Sequence, residues 1–187
     1  MTTTVAPPPP PATRRRARAL NPADVLVLAS LIAVNALIAM FGSAVSRPHI
    51  NGWYAEVAPP IWVPPNWVFG VVWSALYLSI SIAAWLVWRE RRRRRVTIAL
   101  TAYIIQMVLN CLWSPVFFAL YPAIGSLATW LALGIHMALL LSLVVMTSEF
   151  WQVRRTASIL TAPYVTALPE IPHFCSSKFP TLGRSAT

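Results

Sequence analysis

Residues 53–73 read WYAEVAPPIWVPPNWVFGVVW. Four prolines, four tryptophans and a single acid precede a long apolar run. Proline lacks a backbone N–H and fixes φ, so the first half reads as a stiff connection and not as a helix. From Val68 to Trp88 the chain then carries no charge over 21 residues, about the length that a helix needs to cross the hydrocarbon core of a bilayer. The stretch is therefore an indole-rich loop feeding a membrane span. A plain interhelical connection does not need four indoles.

Composition agrees with this reading. Hydrophobic residues make up 57% of the 187, and charged residues only 11%, with a mean hydropathy of +0.62. A soluble domain carries about 25% charged residues, so this chain cannot cover itself with polar surface, and its partner is the lipid bilayer. The net charge of +10 would suit nucleic acid, yet the basic residues are bunched between apolar runs and not spread over a face. No nucleic-acid partner is expected. Cys111 and Cys175 fall mid-span and in a polar tail, with neither a disulfide framework nor metal-ligand spacing.

Four spans are expected near 25–45, 68–88, 96–120 and 125–149, followed by a partial one at 156–168. The first exceeds the roughly 7–15 apolar residues of a cleaved signal. Val96 to Ser148 is uncharged over 53 residues, too long for one span, and Pro122 and Gly125 mark the break. Residues 156–168 lie between Pro163 and Pro169 in part, and are short for a crossing. Residues 1–23 and 169–187 read as a disordered Pro/Arg-rich arm and a disordered tail. Twelve arginines (14–16, 18, 89, 91–95, 154 and 155) fall on one side and Arg47 alone on the other. The positive-inside rule puts the N-terminus in the cytoplasm and the Pro/Trp loop outside; the Arg- and Ala-rich composition suits a bacterial inner membrane. Bland topology is the simplest role of the arginine run, with an anionic-lipid patch as the alternative.

Within the spans the polar side chains are informative, because each must find a partner. Tyr103, Gln106, Asn110, Trp113 and Phe117 form one stripe on the third helix; Phe69, Trp73, Tyr77 and Ser81 form another on the second. Asn35, Ala39 and Ser43 on the first helix, and Gly134 and Ala138 on the fourth, are candidates for close helix contact. Two aromatic stripes with an amide between them suit a flat conjugated ligand, with Asn110 and Tyr54 as donors to a carbonyl or carboxylate. The same residues equally suit helix packing and an interfacial belt, and spacing alone does not decide between the two. His136 is read as a packed histidine and Glu149 as a solvated residue at a span end. The sequence contains no catalytic set, phosphate loop or metal cluster.

WYAEVAPPIWVPPNWVFGVVWSALY (53–77) resembles the TspO/MBR family signature, close to WYxxLxKPxWxPPxWVFGPVWxxLY. LNCLWSPVFF (109–118) resembles its second signature, and Pro163–Tyr164 its start of helix five. The resemblance covers about 25–164. It implies an all-α, five-helix transmembrane bundle, usually homodimeric, that binds porphyrin, haem and other tetrapyrroles, or sterol-like molecules, for sensing or transport. No covalent cofactor is implied. The ligand set it implies is Tyr54, Trp62, Trp73, Tyr77, Asn110 and Trp113, beneath a loop lid of Trp53, Pro64, Pro65 and Trp67. A binding protein and not an enzyme is expected; a light-dependent porphyrin-degrading enzyme and a non-binding membrane interaction module are the alternatives.

The chain departs from the family pattern at four places. Ala58 stands where a Lys is common, Val71 replaces the FGPVW proline, and Trp130 occupies a position that is commonly Asp. After Tyr164 the family's LxWxxFAxxLNxxxW gives way to VTALPEIPHFCSSK, with Ala167 at the expected tryptophan. The fifth helix is thus expected to be truncated or altered, as by a shifted reading frame, and the wall it supplies to be missing.

Overall fold

The computed structural model describes residues 21–50, 52–56, 66–92, 94 and 96–167. These form α1 (Pro22–Ile50), α2 (Trp53–Glu56), α3 (Asn66–Arg89), α4 (Thr97–Ser114), a π-helical turn (Pro115–Ala119), α5 (Tyr121–Ile124), α6 (Ser126–Val153) and α7 (Arg155–Ala167). Four of the helical stretches are long and apolar enough to cross a membrane. In hydrocarbon every backbone N–H and C=O must be satisfied within the segment, and helices achieve this. Residues 1–20 of the expected arm, and the expected tail at 169–187, lie outside the described residues. Helix α1 starts at Pro22, inside the expected arm, because proline suits the first helical position, where no N–H partner exists anyway. Asp24 in the first turn, and Arg47 and His49 in the last, complement the helix dipole.

Between α4 and α6 the chain turns where proline and glycine predict. Pro115 has no N–H to continue the α-helical ladder, and the backbone shifts register into a π turn, in which Leu120 N–H bonds the Pro115 carbonyl at 3.1 Å. Gly125 then adopts φ of 59° and ψ of −135°, a conformation open to glycine but not to residues with a Cβ.

The helices meet through small and polar residues. Asn35, 1% exposed, donates from Nδ2 to Ser81 Oγ at 2.6 Å and accepts from the Tyr103 hydroxyl at 3.2 Å. One carboxamide so joins α1, α3 and α4. The contact face of α1 is Asn35, Ile38, Ala39, Gly42 and Ser46, while Ser43 is exposed. Strict four-residue steps drift about 40° per step around a helix with 3.6 residues per turn, so the alternating three–four spacing wins over the expected 35–39–43. The same correction applies to α6. Gly134 faces open space, and Ala128 and Ala132 are the buried small residues. Leu26, Leu37, Met40, Leu141 and Trp130 are more than half exposed; on a bundle in lipid these form the hydrocarbon face, where an indole in place of the family's acid is at ease.

At the arginine-rich end, Asp24 is buried and lies 3.8 Å from Arg89, and its carbonyl accepts the Trp85 indole N–H at 2.7 Å. The short fifth helix expected at 156–168 is observed as α7, 13 residues that pack against α3 and α6 with Ala157, Thr161 and Tyr164 fully buried; the rest of the wall expected to be lost lies outside the described residues. Hydroxyls anchor α7, Ser158 Oγ donating to the Thr147 carbonyl at 3.0 Å and Thr161 pairing with Thr147 at 3.2 Å. Glu149 is half-buried within α6 and not beyond its end.

A Cβ at Gly42 would approach Ser114 Oγ to 3.2 Å, so α1 and α4 are in close contact there. Gly42→Leu is expected to overpack this contact and cost about 1–3 kcal/mol, read as a lower thermal midpoint in detergent. Asn35→Leu, which orphans the Tyr103 hydroxyl, is expected to cost about 1 kcal/mol. An unchanged midpoint for both would show that α1 is held by lipid and not by these contacts.

Candidate functional site

The α4 stripe faces protein throughout, with Tyr103, Gln106 and Phe117 buried and Asn110 and Trp113 half-buried. Asn110 occupies its centre. The Tyr77 hydroxyl donates to Asn110 Oδ1 at 2.6 Å, and Asn110 Nδ2 donates to the Tyr164 hydroxyl. Both ends of the amide dipole are used, and α3, α4 and α7 are joined through one side chain. The fully buried Tyr164 hydroxyl also lies within hydrogen-bonding reach of the Gln106 side chain. Trp73, half-buried on α3, covers the pair: its ring lies 6.0 Å from Tyr77 and 6.0 Å edge-on from Tyr164.

One helical turn along α4 a second aromatic group begins. Trp113 stacks on Phe117 at 5.1 Å and 7°, touches Phe118 edge-on and lies 6.4 Å from the buried His136 ring. Tyr54 meets Phe117 and Phe118. Trp53 stacks on Tyr121 at 3.9 Å and 19°, and its indole N–H donates to the Phe118 carbonyl at 3.3 Å. The short helix α2 is therefore latched onto the π turn and α5, and it carries Trp53 and Tyr54 over the end of the stripe.

The structure thus sorts the expected residues. Trp73, Tyr77 and Asn110 form an inner group; Trp53, Tyr54 and Trp113 form an outer one, and the single helical turn between Asn110 and Trp113 connects them. Trp67, at the start of α3, is 70% exposed and belongs to neither. Trp62, Pro64 and Pro65 lie outside the described residues. Tyr164 and Tyr121 were absent from the expected set and are central to the two groups. The Pro163–Tyr164 pair marked the first in the sequence; a tyrosine before the Pro122 turn was the only hint of the second.

Chemically the arrangement offers indole and phenol faces around neutral amide and hydroxyl donors. Such a lining suits a flat apolar molecule with a carbonyl or carboxylate edge. The described residues contain no group of three or more His, Cys, Asp or Glu able to hold a metal ion.

Known proteins place the chain. The sequence pattern of the TspO/MBR family matches residues 30–169. Tryptophan-rich protein TspO of Archaeoglobus fulgidus is 33% identical over 139 residues, covering 74% of this chain and 85% of that one. The tryptophan-rich sensory protein of Cereibacter sphaeroides is 33% identical over 137 residues, 70% and 81% of the two chains. The human translocator protein is 40% identical over 68 residues, 35% and 40% of the two chains. With four membrane-crossing helices and a pattern matched over most of its length, this integral membrane protein belongs to the TspO/MBR family.

Proposed function

We propose that this chain binds a tetrapyrrole, porphyrin or haem, or a similar flat hydrophobic ligand, within its helix bundle, and does so for sensing or transport. The observation that carries the reading is the convergence of Tyr77 and Tyr164 on Asn110 beneath Trp73, with the outer group of Tyr54, Trp113 and Phe117 one helical turn away. Names borne by relatives, tryptophan-rich sensory protein and translocator protein, support a sensory or transport role. Trp73 and Trp113 supply π faces for stacking, and the amide and hydroxyl groups beside them supply donors for a carbonyl or carboxylate. The latch of Trp53 on Tyr121 serves as a lid that must release before a ligand enters from the α1–α3 side. A sterol-like ligand would use the same apolar faces with a single hydroxyl contact.

Binding without turnover is the favoured reading, because relatives are named sensory and translocator proteins and Ala167 stands at the family's helix-five tryptophan. The arginine-rich end lies in the cytoplasm of a bacterial inner membrane on this proposal, with the Pro/Trp loop outside. The lipid-exposed faces leave room for a homodimer.

Protoporphyrin IX is expected to quench tryptophan fluorescence of the detergent-solubilised chain saturably. Trp73→Ala combined with Asn110→Ala is expected to weaken binding by about tenfold, equivalent to about 1.4 kcal/mol. Trp53→Ala is expected to speed dissociation several-fold in stopped-flow, with a smaller loss of affinity. Equal quenching by wild type and the double variant would count against this site. The absorbance of bound porphyrin is expected to stay constant under illumination; a light-dependent product would favour the enzymatic alternative.

A further inference from the structure

The arginine run carries more than topology. Two basic segments some sixty residues apart in sequence are held side by side at one end of the bundle. The Arg94 guanidinium donates to the Gln152 carbonyl, and Arg154 lies 3.7 Å from Glu90. The α3–α4 connection is thereby stapled to the joint between α6 and α7, which brings Arg91, Arg94 and Arg155 to one end of the bundle.

Charge pairing at this end is uneven. Asp24 takes Arg89 and Glu90 takes Arg154. Arg91, Arg92, Arg94 and Arg155 form no ion pair among the described residues, and Glu149, half-buried in α6, forms none either. Two of the four cations rest on indoles: the Arg91 guanidinium lies 3.2 Å from the centre of the Trp88 ring, and that of Arg155 lies 5.1 Å from the Trp151 ring. Arg91 also gives one N–H to the Trp88 carbonyl at 3.2 Å; the in-plane N–H groups left over on a guanidinium held against an aromatic face are the ones that match phosphate oxygens. Stacking also limits the rotamer freedom that a long side chain would otherwise lose on binding.

Position identifies the anion. Trp88 is the penultimate residue of α3, and Trp151 lies two residues before the end of α6. Indoles at span ends occupy the headgroup level, so the stacked arginines stand where lipid phosphates are. A single-stranded nucleic acid would require indoles free to stack on bases, and these two carry guanidinium groups. We propose that Arg91, Arg94 and Arg155, ordered by Trp88 and Trp151, form a binding site for the headgroup phosphate of an anionic phospholipid. The site is independent of the ligand proposed above and lies at the opposite end from the Trp53 latch.

The test uses the full chain in mixed micelles with equimolar phosphatidylglycerol and phosphatidylcholine of matched acyl chains. Lipid retained by the protein is counted by native mass spectrometry. Phosphatidylglycerol is expected to be favoured on the order of tenfold, and the triple variant Arg91→Gln, Arg94→Gln, Arg155→Gln to fall to within about twofold of parity. Arg47→Gln, at the other end of α1, is expected to leave the preference intact. Glu90→Gln, which releases Arg154, is expected to raise it. About 0.5 M NaCl is expected to weaken the preference of the unsubstituted chain by screening, a result that requires no variant to fold. Parity in the wild type, or an undiminished preference in the triple variant, would overturn the proposal. Displacement of the lipid by inorganic phosphate, or by a short single-stranded oligonucleotide at equal concentration, would overturn the assignment to lipid.

Discussion

In hydrocarbon a carboxamide must find its partners inside the protein, and the position of Asn110 follows from that constraint. Its oxygen receives the Tyr77 hydroxyl and its nitrogen reaches the Tyr164 hydroxyl, so α3, α4 and α7 cannot separate without leaving polar atoms unpaired. Apolar contact does not drive helix association in lipid, since tails are as apolar as leucine; packing and interhelical hydrogen bonds do. Asn35 repeats the device nearer the arginine-rich end, linking α1, α3 and α4 through Ser81 and Tyr103. The two amides together tie four helices into one body and fix the angles at which Trp73 and Trp113 are presented.

The spans, their breaks and the inward stripe were legible in the sequence for a simple reason. Charge-free runs of bilayer length, bounded by arginines and punctuated by Pro122 and Gly125, have few structural solutions. The stripe from Tyr103 to Phe117 was legible because polar and aromatic residues at three- and four-residue steps cannot all face lipid. The small-residue contacts were not. Ser43 and Gly134 look like interface residues by composition, yet which face of an all-apolar helix turns inward depends on neighbours that no single segment encodes. Ser46 and Ala132 won by helical phase.

Helix α7 is the more instructive case. Thirteen residues are short for a span, and the motif that should follow Tyr164 is absent, so the sequence argues for a lost wall. What holds α7 in place is the pairing of Thr147, Ser158 and Thr161, with Tyr164 on Asn110. Short polar side chains at such a joint carry little signal in hydropathy, although each contributes to docking where water is scarce. The inner aromatic group is closed by Tyr164, which precedes the divergence.

The latch at the other end depends on a backbone feature. Pro115 shifts the α4 ladder into a π turn, and in that setting the Phe118 carbonyl accepts the Trp53 indole while Tyr121 receives its ring. The docking site of the lid and Asn110 at the centre of the inner group thus lie on consecutive stretches of chain, the π turn following α4 directly. The central claim, that the Asn110 amide couples α7 to the bundle, is tested most directly by a double-mutant cycle. Asn110→Leu, Tyr164→Phe and their combination would be compared by reversible unfolding in mixed micelles. The account predicts a coupling energy of about 1 kcal/mol, with the second substitution costing little once the first is present. Strictly additive losses would contradict it.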